Sequence, residues 1–94
     1  MYARVARFQG DPSQIDESAA NVRAEVESGQ VPPGLEGAKM MMLVDRQTGE
    51  GLGITLFDSE EAMRRGDEVL NEMSPGGGSQ RTGVAFYEVP VSTV

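Results

Sequence analysis

Residues 38–63 constrain the fold more than any other part of the sequence. An apolar run, a polar turn, an alternating apolar run and a helix start follow one another with almost no residues between them. The run at 38–45 is apolar on both phases, which is typical of a strand covered on both faces. The run at 51–57 alternates, and one of its faces carries Leu52, Ile54 and Leu56. We therefore expect a β-hairpin whose first strand is covered on both sides.

The residues before this block predict a strand and then a helix. Residues 2–8 alternate in the manner of a strand, Gly10 ends it, and Asp11 and Pro12 suit the cap and first position of a helix. Apolar residues spaced for one helical face follow, and they are Ile15, Ala19, Val22 and Val26. This helix is expected to end near Ser28 and Gly29. The proline- and glycine-containing residues 30–37 predict an ordered connection.

The residues after the block predict a second helix and a last strand. Either Asp58 or Ser59 can cap the helix, whose expected buried stripe consists of Ala62, Val69, Leu70 and Met73. Gly66 within this helix indicates a close approach to a neighbour, since glycine there costs about 1 kcal/mol relative to alanine. Residues 74–82 predict a flexible linker or flap, and residues 83–89 predict a strand. The whole order is β-α-β-β-α-β within one domain, residues 1–94.

Composition excludes several classes of function. A net charge of -7 repels phosphate backbones and anionic lipids, so we expect no nucleic acid and no membrane partner. The absence of cysteine and histidine removes disulfides, thiolate catalysis and the commonest metal ligand, so no metal site is expected. The sequence has no apolar stretch approaching about 20 residues and no signal-peptide pattern, which favours a cytoplasmic protein.

The pattern resembles the dimeric α/β-barrel superfamily, specifically the small antibiotic biosynthesis monooxygenase-like proteins. The resemblance is carried by YARVARF at 2–8, VDRQTGEGLGITLFDSEEAM at 44–63 and VAFYEV at 84–89. It implies an α+β, ferredoxin-like βαββαβ fold with a four-stranded antiparallel sheet and two helices on one face. It also implies a homodimer whose two sheets form one barrel, which would cover the second face of the strand at 38–45. The implied pocket lies between the sheet and the helices of each protomer.

The resemblance also limits the chemistry. Haem-degrading members carry an asparagine late in the first strand and a tryptophan at the end of the third, where this chain has Arg7 and Phe57. They also use a histidine, and this chain has none. Other members are cofactor-free oxygenases of aromatic compounds that use asparagine, tryptophan, tyrosine and arginine. Here Arg7, Tyr2, Tyr87 and Arg81 are the side chains available for such a role, and no cofactor is expected.

The face of the third strand that carries Gly51, Gly53, Thr55 and Phe57 is the first candidate for a site. Its small side chains either let a helix pack closely or leave room for a ligand above Gly53 and Thr55, with Phe57 as an aromatic wall. Which face lies beneath the helices is taken from the family, because a shift of one residue would exchange the two faces.

Arg7 and Tyr87 complete the candidate pocket. Arg7 is expected either to form an ion pair with Glu88 or a helix carboxylate, or to recognise a carboxylate, enolate or phenolate. Tyr87 either packs on the strand or donates a hydrogen bond to a ligand. No residue is identified as catalytic.

The sequence favours two functions, and an isomerase- or dehydratase-like activity with a carboxylate or tyrosine base ranks below both because no residue pair supports it. One is a cofactor-independent monooxygenase, an oxidoreductase acting on a small apolar or aromatic metabolite. The other is a dimeric, non-catalytic ligand-binding or interaction protein.

Overall fold

The computed structural model describes residues 1–29, 31–72 and 80–93. Its elements follow the predicted β-α-β-β-α-β order, with one short 3-10 turn before the first helix. They are β1 (Tyr2–Gln9), the 3-10 turn (Pro12–Gln14), α1 (Ile15–Glu27), β2 (Lys39–Val44), β3 (Glu50–Phe57), α2 (Glu60–Glu72) and β4 (Gln80–Glu88).

The four strands form one antiparallel sheet in the order β2-β3-β1-β4. Its central pair is β1 and β3, in a register that sets Arg4 opposite Thr55 and Ala6 opposite Gly53. Together with the two helices, this topology confirms the α+β ferredoxin-like fold. Because successive side chains of a strand point to opposite faces, this register also fixes which residues share a face. The assembly of two chains into a barrel stays a prediction.

The main core lies between the sheet and α2. Leu35, Phe57 and Met63 are buried together, and Tyr2, Ala38, Ala62, Val69 and Leu70 pack around them. Gly66 of α2 faces this cluster, and a methyl group at that position would overlap the Phe57 ring. The close approach indicated by a mid-helix glycine is therefore present. The burial of Leu35 was not predicted, because a single leucine in a loop has no periodicity.

Helix α1 packs much less closely than its apolar stripe predicted. Ile15, at its first turn, is buried, whereas Val22 is 37% exposed and Val26 is 64% exposed. Ser18 is the other buried residue of this helix. The stripe therefore has one buried end and one open end, and α1 leaves space over the sheet.

Caps and turns explain where the helices begin. Asp11 caps the 3-10 turn by accepting a hydrogen bond from the Ser13 backbone at 2.9 Å, and Pro12 takes the first position. For α2 the sequence left two caps open, and the structure selects Ser59, whose hydroxyl oxygen accepts from the Ala62 backbone at 3.1 Å.

The start of β4 differs from the prediction. The strand begins at Gln80, whereas residues 80–82 were assigned to a flexible segment. The sheet pairing holds these residues in place, since Gln80 lies opposite Gln9 and Arg81 opposite Phe8. The remainder of that segment, and Met73 of the predicted α2 stripe, lie outside the described residues.

Strand β2 is an edge strand with all six residues exposed. The single chain therefore does not cover both faces of this strand, although the sequence predicted that both would be covered. Within the described ranges, no helix has the length and apolar character needed to cross a membrane.

Candidate functional site

A cavity of about 740 Å³ lies between α1 and the sheet. Its volume falls within the range of about 300–1,000 Å³ that is usual for small-molecule sites. The cavity exists because the C-terminal half of α1 does not pack on the strands beneath it. The residues of its apolar wall include Phe8, Ile15, Val22, Met40, Met42 and Leu70.

The floor of the cavity is formed by small residues of the two central strands. Gly53 and Thr55 of β3 line it together with Ala6 of β1. Thr55 is buried, and a methyl group at Gly53 would meet only the edge of the Phe8 ring, at 3.4 Å. Small residues at these positions therefore leave room above the sheet.

One end of the cavity carries a polar network centred on Arg4. This arginine is only 3% exposed, and its Nε donates to Asp67 Oδ1 at 2.7 Å. Its Nη2 also donates to Asn71 Oδ1 at 3.2 Å. A buried guanidinium is tolerated when it is paired and hydrogen-bonded in this way. The network fixes Asn71 at the cavity wall.

Arg81 joins the same network from β4. Its Nη1 donates to the Asn71 side-chain oxygen, so two guanidinium groups share one neutral acceptor. The pairing of β1 with β4 is irregular at this point, because Arg7 lies opposite Gly83 whereas Phe8 lies opposite Arg81. The bulge at Thr82 shifts the alternation by one residue and brings Arg81 to the helix-covered face of the sheet.

The predicted site residues separate into three groups. Gly53 and Thr55 line the cavity. Phe57 lies on the same face of β3 but belongs to the core beneath α2, where its ring contacts the Gly66 region. The helix-covered face of β3 is thus the one expected, and Gly51 lines the cavity with Gly53 and Thr55 whereas Phe57 does not.

Arg7 and Tyr87 lie on the opposite face of the sheet. Arg7 sits between Leu52 and Gly83 in the register, and Tyr87 is opposite Ala3 and 52% exposed. The ion pair suggested for Arg7 is absent from the described part of the chain. A ligand of these two side chains would therefore need a site other than the cavity.

Arg4 and Asn71 were missed by the sequence-based analysis. Arg4 was noted only as one residue of an alternating strand, and its partners lie 63 and 67 positions away along the chain. No local pattern could have joined them. Arg81 was considered as a ligand-binding arginine, but it was assigned to a flexible segment, so its position on the sheet could not be predicted.

The described residues offer no group of three or more acidic side chains that could hold a metal ion. What the cavity does offer is an apolar volume with cationic and amide groups at one end. Such a site can bind an apolar or aromatic molecule and orient one polar group of it.

Comparison with solved structures finds proteins of similar fold. A crystal structure described as a "putative antibiotic biosynthesis monooxygenase" from Deinococcus radiodurans superposes with a TM-score of 0.54 and 14% sequence identity. The alignment covers 98% of this chain and 95% of the other. At this identity the similarity establishes a shared fold, and it supports the resemblance at that level. No family model matches the sequence. No curated protein matches it either.

Proposed function

We propose that this protein binds a small apolar or aromatic metabolite in the cavity between α1 and the sheet. The observation that carries the proposal is that Ile15 and Val22 of the apolar stripe of α1 line the cavity and that Val22 stays 37% exposed. Burying apolar surface contributes about 25 cal/mol per Å², so an apolar ligand between α1 and the sheet gains from both walls. A polar ligand would leave the methionine wall of β2 without a favourable contact.

The working unit of this proposal is a homodimer. The sheet face that points away from the helices carries Val5, Met41, Leu43, Leu52, Ile54, Leu56 and Ala85. Met41 and Leu43 are 45% and 40% exposed in the single chain. The same face also carries the cations Arg7 and Lys39. A largely apolar sheet face of this kind is a typical interaction surface. A second copy would also give β2 the second covering layer that its sequence predicts.

The reaction that we propose for the bound metabolite is cofactor-free monooxygenation. In a methylene-to-ketone conversion two C–H bonds break, one oxygen atom of O₂ becomes the carbonyl oxygen, and the other leaves in water. The substrate supplies all four electrons, so no external reductant is needed. Support comes from the protein of similar fold, which is described as a "putative antibiotic biosynthesis monooxygenase". The cytoplasmic location stays a prediction from the sequence.

Ligand binding is tested by titrating the protein with 2-naphthamide, a neutral aromatic probe, in a calorimeter. Gly53→Val narrows the cavity floor and should weaken binding by about tenfold or more. Gly83→Val is the control, because it makes the same substitution on the outer face, where a new methyl group meets no atom of the same chain within 4 Å, and sedimentation first checks that its association state is that of the unaltered protein. Unchanged binding in the Gly53 variant, or no binding by the unaltered protein, would contradict the proposal.

The reaction is tested separately by oxygen uptake with anthrone in air. Acceleration over buffer that is lost in Gly53→Val and kept in Gly83→Val would support catalysis in the cavity. Binding without acceleration would favour the alternative function, a non-catalytic ligand-binding dimer.

A further inference from the structure

We infer that the ligand of this cavity carries one anionic oxygen group, most suitably a carboxylate, and that Arg81 binds it. This inference rests on the proposed function, because it concerns the same cavity. It adds the charge of the ligand and the residue that recognises it. The observation that supports it is that Arg4, Asn71 and Arg81 lie together at one end of a mainly apolar cavity.

Charge is balanced for Arg4 and not for Arg81. Arg4 pairs with Asp67 at 2.7 Å, which neutralises the buried guanidinium. Arg81 has no ion pair in the described part of the chain, and its hydrogen bond goes to the neutral Asn71 oxygen. The residues outside the described ranges include no aspartate or glutamate. Arg81 therefore brings an unneutralised positive charge to the cavity wall.

At this end of the cavity, hydrogen-bond donors outnumber hydrogen-bond acceptors. A guanidinium group has five N–H donors in a planar fork that matches the two oxygens of a carboxylate. Arg81 uses one of its nitrogens on Asn71. Because the Asn71 oxygen accepts from both arginines, its amide nitrogen must point elsewhere and can act as a further donor. An anionic acceptor fits this set of donors.

The β-bulge gives the inference a structural basis. With regular alternation, Thr82 would lie opposite Phe8 and Arg81 would fall on the other face of the sheet. The register shift between Arg7 and Phe8 reverses this and brings Arg81 to the cavity. Bulges that redirect a side chain are frequent beside functional sites.

Carboxylates on the cavity wall restrict the ligand to a single charge. Asp11, Glu25 and Glu72 also line the cavity, and the whole chain has a net charge of -7. A polyanion such as a nucleotide would meet these groups, whereas a monoanion can lie against Arg81 alone.

The test compares 2-naphthoate with 2-naphthamide, which share a ring system and differ in charge. We expect the unaltered protein to bind naphthoate about tenfold or more tightly, in line with a charge-assisted hydrogen bond. Arg81→Gln should remove this preference, because it should weaken naphthoate binding about tenfold or more beyond any loss in naphthamide binding. Arg81→Lys, which keeps the charge without the planar fork, should retain part of it. Arg23→Gln, at an exposed arginine of α1 that does not line the cavity, should change neither value.

Each other outcome has one meaning. Equal binding of the two probes, or a preference that survives in Arg81→Gln, overturns the anion inference and leaves the proposed function standing. Equal weakening of both probes in Arg81→Gln also overturns it, because the residue then only shapes the cavity. If neither probe binds, the proposed function fails and this inference fails with it.

Discussion

At the scale of single residues, the stability of the fold should depend most on positions where neighbouring groups allow only one type of residue. Arg4 is buried beneath α2 and depends on Asp67 and Asn71, whereas other ion pairs of the chain are exposed. Gly66 has no side chain, and the Phe57 ring occupies the space beside it. Both positions connect the sheet to α2, so both should affect the free energy of unfolding.

Breaking the Arg4–Asp67 pair should destabilise the protein strongly. Arg4→Met leaves the partly buried Asp67 carboxylate without its partner, and such changes cost about 3–5 kcal/mol. Since Asp67 retains some exposure, we expect the lower end of this range, measured by urea denaturation. Arg64→Met removes a mainly exposed pair with Glu60 in the same helix and should cost less than about 1 kcal/mol. Equal losses in the two variants would contradict a buried role for Arg4.

Substituting Gly66 by alanine should also destabilise the protein. Alanine is the better helix former by about 1 kcal/mol, but the new methyl group would overlap the Phe57 ring and lie 3.2 Å from Leu35 Cδ2. Overpacking a core costs about 1–3 kcal/mol, so the clash should outweigh the gain. Phe57→Leu removes the ring, and the double variant should therefore lose less stability than the two single losses added together. Simple additivity would show that the ring and the glycine do not interact.

At the scale of elements, the periodicity of apolar residues predicted the strands and helices. It failed at the β-bulge, where the alternation of a strand is interrupted. The alternation of residues 51–57 and the caps at Asp11 and Ser59 could be recognised locally, because each depends on neighbours within a few positions. The bulge at Thr82 could not, since it arises from pairing with β1 and has no compositional signal. Gly53 and Thr55 were placed correctly by face, whereas Arg4 needed contacts with α2 that only the folded chain provides.

The Asp11 cap should give the start of α1 a measurable pH dependence. Hydrogen bonds from the Ser13 backbone N–H and then from its hydroxyl lower the pKa of the Asp11 carboxyl below its ordinary value of 3.8. A carboxyl whose pKa is lower in the folded protein stabilises it above the unfolded pKa. This contribution is lost as the pH falls through the folded pKa.

Thermal denaturation between about pH 6 and pH 2 measures this effect, when Asp11→Asn is used as the reference. Asparagine keeps an oxygen that can accept from Ser13 and removes the titrating group, so the other carboxyl groups cancel in the comparison. The Tm advantage of the unaltered protein should be constant above the ordinary pKa and shrink below it. A difference that is independent of pH would contradict the role assigned to the charge.

At the scale of the whole molecule, the sheet separates two surfaces for which we propose different functions. The cavity lies on the helix-covered face, and the apolar surface proposed for the dimer lies on the other face. Strand β2 contributes to both, because its methionines alternate in direction. Met40 and Met42 lie opposite Thr55 and Gly53 on the helix-covered face. Met41 also borders the cavity, but it lies opposite Ile54 on the outer face. The apolar sequence of this strand on both phases is thus consistent with a ligand on one side and a second copy on the other.

This separation makes the dimer testable with two neighbouring substitutions. Met41→Lys places a charge on the outer face, where it would be desolvated against a second copy, and should weaken association by about tenfold or more. Met40→Lys is the matched control, because Met40 lies on the same edge strand with 52% exposure against 45% for Met41, but on the cavity side. Sedimentation should therefore show a dimer of the 10.1 kDa chain for the unaltered protein and for Met40→Lys, and monomer for Met41→Lys at low concentration. Monomeric unaltered protein would contradict the dimer, and equal dissociation of both variants would show that the outer face is not its interface. Since Met40→Lys should instead impair naphthamide binding, the two variants together assign one function to each side of the sheet.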